Sequence, residues 1–172
     1  MVGVVGTIDM DMAGSKRRNG GGRSGSPRAG PAQSHYVFNI PSDFAASRDV
    51  QLRILQDIER RGFNEQTRFA IKLALEEAMI NAIKHGNRFD PRKKVHIEAT
   101  VTPDEARIIV EDEGPGFDRS SVPNPTLREN VEKCSGRGIL LIEAYMNQVR
   151  WSHGGRRLRM IKRNEPDVIP RC

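Results

Sequence analysis

The sequence predicts an α+β domain, a two-layer sandwich in which helices cover one face of a mostly antiparallel sheet. Three observations predict it. Segments in which apolar residues alternate with polar ones indicate strands with one buried face. Other segments repeat apolar residues at three- and four-residue steps, which is typical of helices. The predicted order is β-α-α-β-β-loop-α-β-β, and strands in consecutive hairpins beside clustered helices favour two packed layers.

The first half of this order contains one strand and two helices. His35–Ile40 alternates and holds aromatic and β-branched residues, so it is predicted to be a strand. Pro41-Ser42-Asp43 offers a helix start, and Gly62 ends the helix that follows. Asn64 can cap a second, longer helix running to about residue 85, for which Gly86 is the natural C-terminal stop.

The second half contains two predicted hairpins and one helix. Residues 95–101 and 107–111 are predicted to be strands joined by a turn at 103–105. Residues 114–137 are rich in Gly, Pro, Ser and Asn, and a loop of this length inside a domain is usually a functional lid or mobile. Residues 139–146 are apolar almost all round and predict a buried helix, and residues 149–160 predict a closing hairpin around Gly154-Gly155.

Composition excludes several classes of protein. The chain has 172 residues and two cysteines, too few for a secreted disulfide framework, and no apolar stretch approaches the roughly 18 residues of a membrane span. Half of the net charge of +6 lies in residues 1–33, a Gly-, Ser- and Arg-rich segment that is predicted to be a disordered tail. The body is only mildly basic, so we expect no direct nucleic-acid partner and no membrane. We expect a cytoplasmic protein, because no secretory signal is recognisable.

Two polar side chains lie on the inner face of the long helix. Glu77 and Asn81 are four residues apart, so they project from one face on successive turns. The same face carries Ala70 and Leu73, and a carboxylate and an amide on an apolar face are unfavourable without partners. A metal ion or a ligand would supply those partners, and a solvated edge of the helix is the alternative.

Two further clusters follow, each rich in glycine. Asp112 ends a strand and is followed by Gly114 and Gly116, which permit a close approach of the backbone to a ligand, although Asp and Gly also favour ordinary turns. Gly136 and Gly138 open the last helix, where free N–H groups and the helix dipole favour an anion. The P-loop and the dinucleotide-binding glycine patterns are absent, which argues against those two classes.

Taken in order, these three clusters resemble the GHKL ATPase superfamily. Within it, the stretch from Leu75 to Asn87 and the stretch from Gly136 to Ile142 look most like the anti-sigma-factor serine kinases. The resemblance implies the Bergerat ATP-binding fold over residues 34–164, a histidine-kinase-like ATPase domain between a tail at 1–33 and another at 165–172. It also implies ATP and Mg²⁺ as cofactors.

The resemblance also implies a role for each site residue. Asn81 matches the magnesium ligand, and Glu77 matches the general base toward the substrate hydroxyl. Asp112 matches the residue that binds the adenine amino group. The matching glycines are Gly114 and Gly116 beside the adenine, and Gly136 and Gly138 near the phosphates. The sequence departs from the family at the final hairpin, where Gly155 is followed by Arg156-Arg157 instead of the usual Thr.

Three cations beside these motifs have two interpretations each. Lys84 and His85 could reach the phosphates, but the C-terminus of any helix also attracts cations. Arg137 could neutralise the γ-phosphate or face solvent.

A basic stripe follows the final turn. It could bind an acidic partner or protect a solvated edge strand from aggregation, and its members are Arg156, Arg157, Arg159, Lys162 and Arg163.

The function that the resemblance implies is that of an ATP-dependent protein-serine kinase and anti-sigma factor. Such a protein binds a sigma factor, phosphorylates an anti-anti-sigma partner of the STAS type, and forms a homodimer. Two alternatives remain open. One is a nucleotide-gated binding module without kinase activity, and the other is a detached histidine-kinase catalytic domain.

Overall fold

The computed structural model describes residues 33–117 and 137–165, and these form one sheet with helices on one face. The strands are β1 (Ser34–Pro41), β2 (Lys94–Val101), β3 (Glu105–Asp112), β4 (Gln148–Ser152) and β5 (Arg157–Arg163). The α-helices are α1 (Phe44–Arg60), α2 (Glu65–Ile80) and α3 (Arg137–Tyr145). Every predicted strand and helix is therefore present. Residues 118–136 of the loop predicted at 114–137 lie outside the described residues, as do residues 1–32 of the tail at 1–33 and 166–172 of the tail at 165–172.

The sheet confirms the predicted α+β class. Its strand order is β1-β2-β3-β5-β4, and each neighbouring pair in the described part of the chain is antiparallel. β2 buries every second residue from Val95 to Val101, and these side chains meet the apolar side of α2 in the core. The alternation read from the sequence is thus the burial pattern of the sheet, because period-2 segments can bury only one face.

The helices begin where the predicted caps lie. The side chain of Asp43 accepts a hydrogen bond from the backbone N–H of Ala46 at 3.0 Å, and that of Asn64 accepts one from Thr67 at 2.7 Å. Each cap satisfies one of the free N–H groups of a first helical turn, typically worth about 1 kcal/mol. In the residues that the structure describes, no helix is long and apolar enough to cross a membrane.

The structure corrects the expectation for the last helix. We predicted a helix buried almost all round, but α3 buries only Ile139 and Ile142, with Met146 just after it. Tyr145 is 37% exposed, and its ring packs edge-on against Phe69 of α2. The reason is that, within the described residues, α3 packs mainly against α2 and to a smaller extent against β4, so its remaining apolar residues stay partly accessible.

Candidate functional site

The long helix extends to the predicted stop at Gly86, but its last turn is not α-helical. Residues Asn81–Gly86 form a π-helical segment that continues α2 without a break. Such segments arise where one extra residue is fitted into a helical turn, and they occur often at functional sites. This segment rotates the residues after Asn81 relative to an ideal α-helix, so Gly86 reaches the end of β3.

Glu77 and Asn81 lie on the half-buried side of this helix. Ala74 and Ala78 beside them are buried, whereas Glu76, about 100° round the helix, is exposed as expected. Ala70 on the same face is buried, while Leu73 is only half-buried. Glu77 and Asn81 are thus at the edge of the core, where a side chain can face a ligand and still be held by its neighbours.

The amide of Asn81 has no hydrogen-bond partner among the described residues. Its Nδ2 atom is buried and unpaired. A buried polar group left unpaired is unfavourable by about 1–3 kcal/mol. The missing partner of Nδ2 is a hydrogen-bond acceptor such as a phosphate oxygen, and the amide oxygen of the same side chain is a ligand that Mg²⁺ accepts. The residues present at this point therefore fit a ligand-bound metal, although nothing in the described ranges brings three or more His, Cys, Asp or Glu together to hold one alone.

The carboxylate of Glu77 lies directly against the first turn of α3. A Cβ atom built at Gly138 would be 2.3 Å from Oε2 of Glu77 and 3.3 Å from its Cδ. Only glycine leaves room for the carboxylate here, so Gly138 belongs to the site through its missing side chain. The contact brings together two residues that lie 61 positions apart in the sequence.

At the other end of the helix, Asp112 lies against Gly86. A Cβ atom at Gly86 would be 2.3 Å from Cγ of Asp112, 2.4 Å from Oδ1 and 2.6 Å from Oδ2. Gly114 packs against the same point, because its Cβ would be 2.2 Å from the carbonyl oxygen of Gly86. We call the contact between Gly86, Asp112 and Gly114 the Asp112 corner. The Gly114 N–H donates to Oδ1 of Asp112 at 2.7 Å. Two glycines and one hydrogen bond therefore fix this carboxylate.

Burial raises the pKa of the Asp112 carboxyl above its ordinary value. Desolvation is the main cause, and the charge of Glu111 acts in the same direction. The hydrogen bond from Gly114 and the charge of Arg156 act in the opposite direction, but they do not offset it. A half-buried carboxylate that lacks full solvation is prepared to accept a hydrogen bond from a ligand.

Asn87 holds this corner together and is itself 1% exposed. Its Nδ2 donates to Oγ of Ser42 and to the carbonyl of Lys94, both at 2.8 Å, and its Oδ1 accepts from the Glu113 N–H at 2.8 Å. One side chain thus joins the start of α1, the start of β2 and the loop after Asp112. These three bonds fix where Asp112 lies relative to the helix.

The β4–β5 turn supports the loop after Asp112 from the other side. The Phe117 N–H donates to the carbonyl of Gly154 at 2.9 Å, and the Asp112 N–H donates to the carbonyl of Arg156 at 3.2 Å. Gly116 has a φ of +79°, and its Cβ would be 2.1 Å from the Gly154 oxygen. Gly116 is therefore required for packing against this turn as well as for its left-handed backbone.

Arg156, at the position where the resemblance led us to expect Thr, directly follows the β4–β5 turn. Its Nε donates to the carbonyl of His153 at 3.1 Å, which ties the guanidinium to its own turn. The Asp112 N–H donates to the carbonyl of Arg156, so the two residues are neighbours, and the charge of Arg156 offsets part of the rise in the pKa of the Asp112 carboxyl. The arginine at this position thus belongs to the surroundings of the carboxylate.

The structure brings most of the predicted residues together. Glu77 meets Gly138, Asp112 meets Gly114, and Asn81 lies between the two contacts on the same helix. Lys84 and His85 are exposed at the end of the π-helical segment, and Arg137 is exposed at the start of α3. Gly136 lies outside the described residues.

Two residues of this site were missed by the sequence reasoning. Gly86 is predicted as a helix stop, but its φ is not positive, so it does not adopt the left-handed backbone for which a glycine is usually needed there. It is needed because the carboxylate of Asp112 packs where a Cβ atom would lie. Asn87 was noticed only as part of the family-like stretch. The signal that could have found both is the Gly-Asn pair at the end of the helix that carries Glu77 and Asn81. A glycine allows another chain segment to approach the backbone closely, and an asparagine beside it can make buried hydrogen bonds.

Comparison with known proteins identifies a family and several named relatives. The family model of the histidine kinase-like ATPase domain matches residues 40–162. The chain is 38% identical over 82 residues to the anti-sigma F factor of Oceanobacillus iheyensis, a match that covers 46% of this chain and 56% of that relative. It is 30% identical over 139 residues to the serine-protein kinase RsbW of Bacillus subtilis, which covers 77% of this chain and 81% of the relative.

The matched segment thus spans little more than half the length of the anti-sigma F factor, but most of the serine-protein kinase. Among solved structures, the crystal structure of the RsbU and RsbW domains of Rv1364c from Mycobacterium tuberculosis aligns with a TM-score of 0.53 at 18% identity. The alignment covers 77% of this chain and 33% of that chain, and it supports the fold.

Proposed function

The chain belongs to the histidine kinase-like ATPase domain family, and from that premise we propose that it is an ATP-dependent protein-serine kinase and anti-sigma factor. Relatives named anti-sigma F factor and serine-protein kinase support both parts of the proposal. Membership of this family implies the use of ATP. The ATPase domain is proposed to occupy residues 34–164, and the family match at 40–162 lies within these bounds.

One observation carries the proposal. A single helix holds Glu77 against Gly138 near one end and Gly86 against Asp112 at the other. Nine residues separate Glu77 from Gly86, about 13 Å at the rise of an α-helix. A purine bound at Asp112 would direct its phosphates along this helix toward Asn81 and Glu77.

Asp112 is proposed to recognise the adenine. Its carboxylate would accept a hydrogen bond from the exocyclic amino group, and the N–H of Gly114 already fixes the orientation of Oδ1. A site that pairs with such a donor discriminates strongly against ligands lacking it, because the buried carboxylate is then left unpaired. Gly114 and Gly116 keep the loop beside the base free of side chains.

Asn81 is proposed to hold a magnesium ion with the phosphates. Its amide oxygen fits that role, its unpaired Nδ2 can donate to a phosphate oxygen, and Mg²⁺ usually takes one or two protein ligands beside water and phosphate oxygens. When bound, the ion supplies neutralisation of the phosphate charge. Gly136, Arg137 and Gly138 are placed by the proposal around the phosphates, and Lys84 and His85 are the candidate cations at the far side of Asn81.

Glu77 is proposed to act as the general base. Its carboxylate would take the proton of the substrate serine as the serine oxygen attacks the γ-phosphorus and the bond to ADP breaks. General base catalysis of this kind contributes about 10²–10⁴-fold. The remaining rate enhancement in phosphoryl transfer comes from positioning and charge stabilisation.

The partners are proposed from the names of the relatives. A sigma factor would be sequestered, and an anti-anti-sigma protein of the STAS type would receive the phosphate. We also propose that the protein forms a homodimer and acts in the cytoplasm.

Phosphate transfer tests the proposal directly. The full chain is incubated with Mg²⁺, radiolabelled ATP and a STAS partner, and the initial rate of label transfer to serine is measured. Glu77→Gln is expected to lose transfer while keeping ATP affinity. Glu76→Gln, on the exposed side of the same turn, is the matched control and should transfer normally. Normal transfer by Glu77→Gln would refute the base assignment. ATP binding with no transfer by the wild-type chain would favour a nucleotide-gated binding module.

A further inference from the structure

The face of the sheet opposite the helices carries a concentration of arginine. On β3, β5 and β4 the residues that alternate with the core point to this outer face. We define the arginine face by five of them, Arg107, Arg150, Arg157, Arg159 and Arg163. The acidic residues among these outward positions are Glu105 and Glu111. This half of the outer face is therefore strongly positive, although the folded body as a whole is only mildly basic.

Two of these arginines face each other directly. Arg150 of β4 is in register with Arg159 of β5. Side chains at such positions have Cβ atoms about 5 Å apart, and like charges there are destabilising. Arg107 pairs with Glu105 and Arg157 with Glu111, but within residues 33–117 and 137–165 neither Arg150 nor Arg159 has an acidic group in salt-bridge distance. Among the described residues, the pair is thus a double positive charge without an acidic partner.

An apolar residue lies among the arginines of this face. Ile161 points outward between Arg159 and Arg163, and it is in register with Arg107, yet it is only 7% exposed. Long basic side chains cover apolar surface with their methylene groups while the charged head stays in water. The arginine stems are therefore partly ordered before any partner binds, which reduces the entropy lost on binding.

The chemistry of the face selects one class of partner. A second copy of the chain would bring arginines against arginines. Single-stranded nucleic acid needs aromatic side chains on which bases stack, but Tyr36, Phe38 and Trp151 point to the helix side of the sheet. Planar guanidinium groups pair with carboxylates through two parallel hydrogen bonds. We infer that the arginine face binds an acidic segment of a partner protein.

This surface is separate from the nucleotide site. Asp112 lies on the same face of β3 as the core residues Ile108 and Val110, and Glu77 lies on the helix layer, so both are on the other side of the sheet. A protein bound to the arginine face leaves that site open. The inference therefore goes beyond the proposed kinase and does not depend on its catalytic residues.

Binding of an acidic peptide tests this inference. The probe is a fluorescein-labelled peptide of alternating Glu and Ala, measured by fluorescence anisotropy with the full chain at low and at high salt. The test variant is Arg150→Glu with Arg159→Glu. The control variant is Arg48→Glu with Lys72→Glu, which changes the net charge equally on exposed positions of α1 and α2. Arg150→Gln with Arg159→Gln repeats the test without introducing acidic groups, and unchanged ATP affinity shows that each variant is folded.

The inference predicts that the wild-type chain binds the peptide, that salt weakens binding, and that the test variant loses about tenfold or more in affinity. The control variant should bind as the wild type does. Three results would overturn it. The first is no peptide binding to the wild-type chain, and the second is an equal loss of affinity in the test and control variants. The third is that poly-dT binds more tightly than the peptide and loses affinity in the test variant. The last result would assign the face to nucleic acid.

Discussion

The contact between Glu77 and Gly138 gives the sharpest prediction. Gly138→Ala places a Cβ atom 2.3 Å from Oε2 of Glu77, whereas ordinary contact between such atoms begins at 3.4 Å. The carboxylate must therefore move by about 1 Å, and a displacement of this size can reduce a rate by about 10²-fold. That loss corresponds to about 2.7 kcal/mol in the barrier. Stability should not fall, since Ala favours a helix over Gly by about 1 kcal/mol.

The assay compares initial rates of phosphate transfer and ATP affinity in four chains. These are the wild type, Gly138→Ala, Glu77→Gln and the double variant. If the alanine acts through the carboxylate, the double variant is no slower than Glu77→Gln alone, because one interaction cannot be lost twice. ATP affinity should stay within a few-fold. Independent, additive losses would refute the reasoning, and so would a normal rate for Gly138→Ala.

Three further predictions follow from other contacts. Asn87→Ala removes three buried hydrogen bonds and should lower the free energy of unfolding by about 3 kcal/mol, seen as a lower urea midpoint; an unchanged midpoint would contradict the role of Asn87. Asp112→Asn should lose ATP affinity yet be more stable at neutral pH. The pKa of the Asp112 carboxyl is higher in the folded state than in the unfolded state, where it is near 3.8. The carboxyl therefore stabilises the fold in its protonated form below pH 3.8, and this stabilisation is lost as the pH rises through the folded-state pKa. The stability difference from the wild type in urea unfolding should therefore shrink at acid pH, and a less stable variant at pH 7 would oppose this. Arg150→Gln should raise the free energy of unfolding by about 0.2–1 kcal/mol by removing a like-charge pair with Arg159, and a loss of stability would count against that pairing.

The elements were predictable because their signals are local. Asn64 caps α2 and Asp43 caps α1, and both caps act within three residues of the chain. β2 showed its buried face through simple alternation. The partial burial of α3 was not predictable, since an apolar helix reveals its hydrophobicity but not how many neighbours it meets. That number depends on how α3 packs against α2 and β4, which no local pattern encodes.

The site was only partly predictable for a similar reason. Glu77 and Asn81 share a helix face by spacing alone, and the family resemblance supplied Asp112. The close approaches at Gly86 and Gly138 depend on residues distant in the sequence, so nothing local distinguishes them from a helix stop or a flexible start. The π-helical turn that places Gly86 at Asp112 has no signature in the composition of the segment.

The central claim is that one helix, the end of β3 and the start of α3 form a single nucleotide site. A crystal structure of the full chain with Mg²⁺ and a non-hydrolysable ATP analogue measures this most directly. We predict the adenine amino group within hydrogen-bond distance of Asp112, the metal on the Asn81 amide, and the γ-phosphate near Glu77 and Gly138. A nucleotide bound elsewhere, with these side chains facing only protein or solvent, would contradict the account.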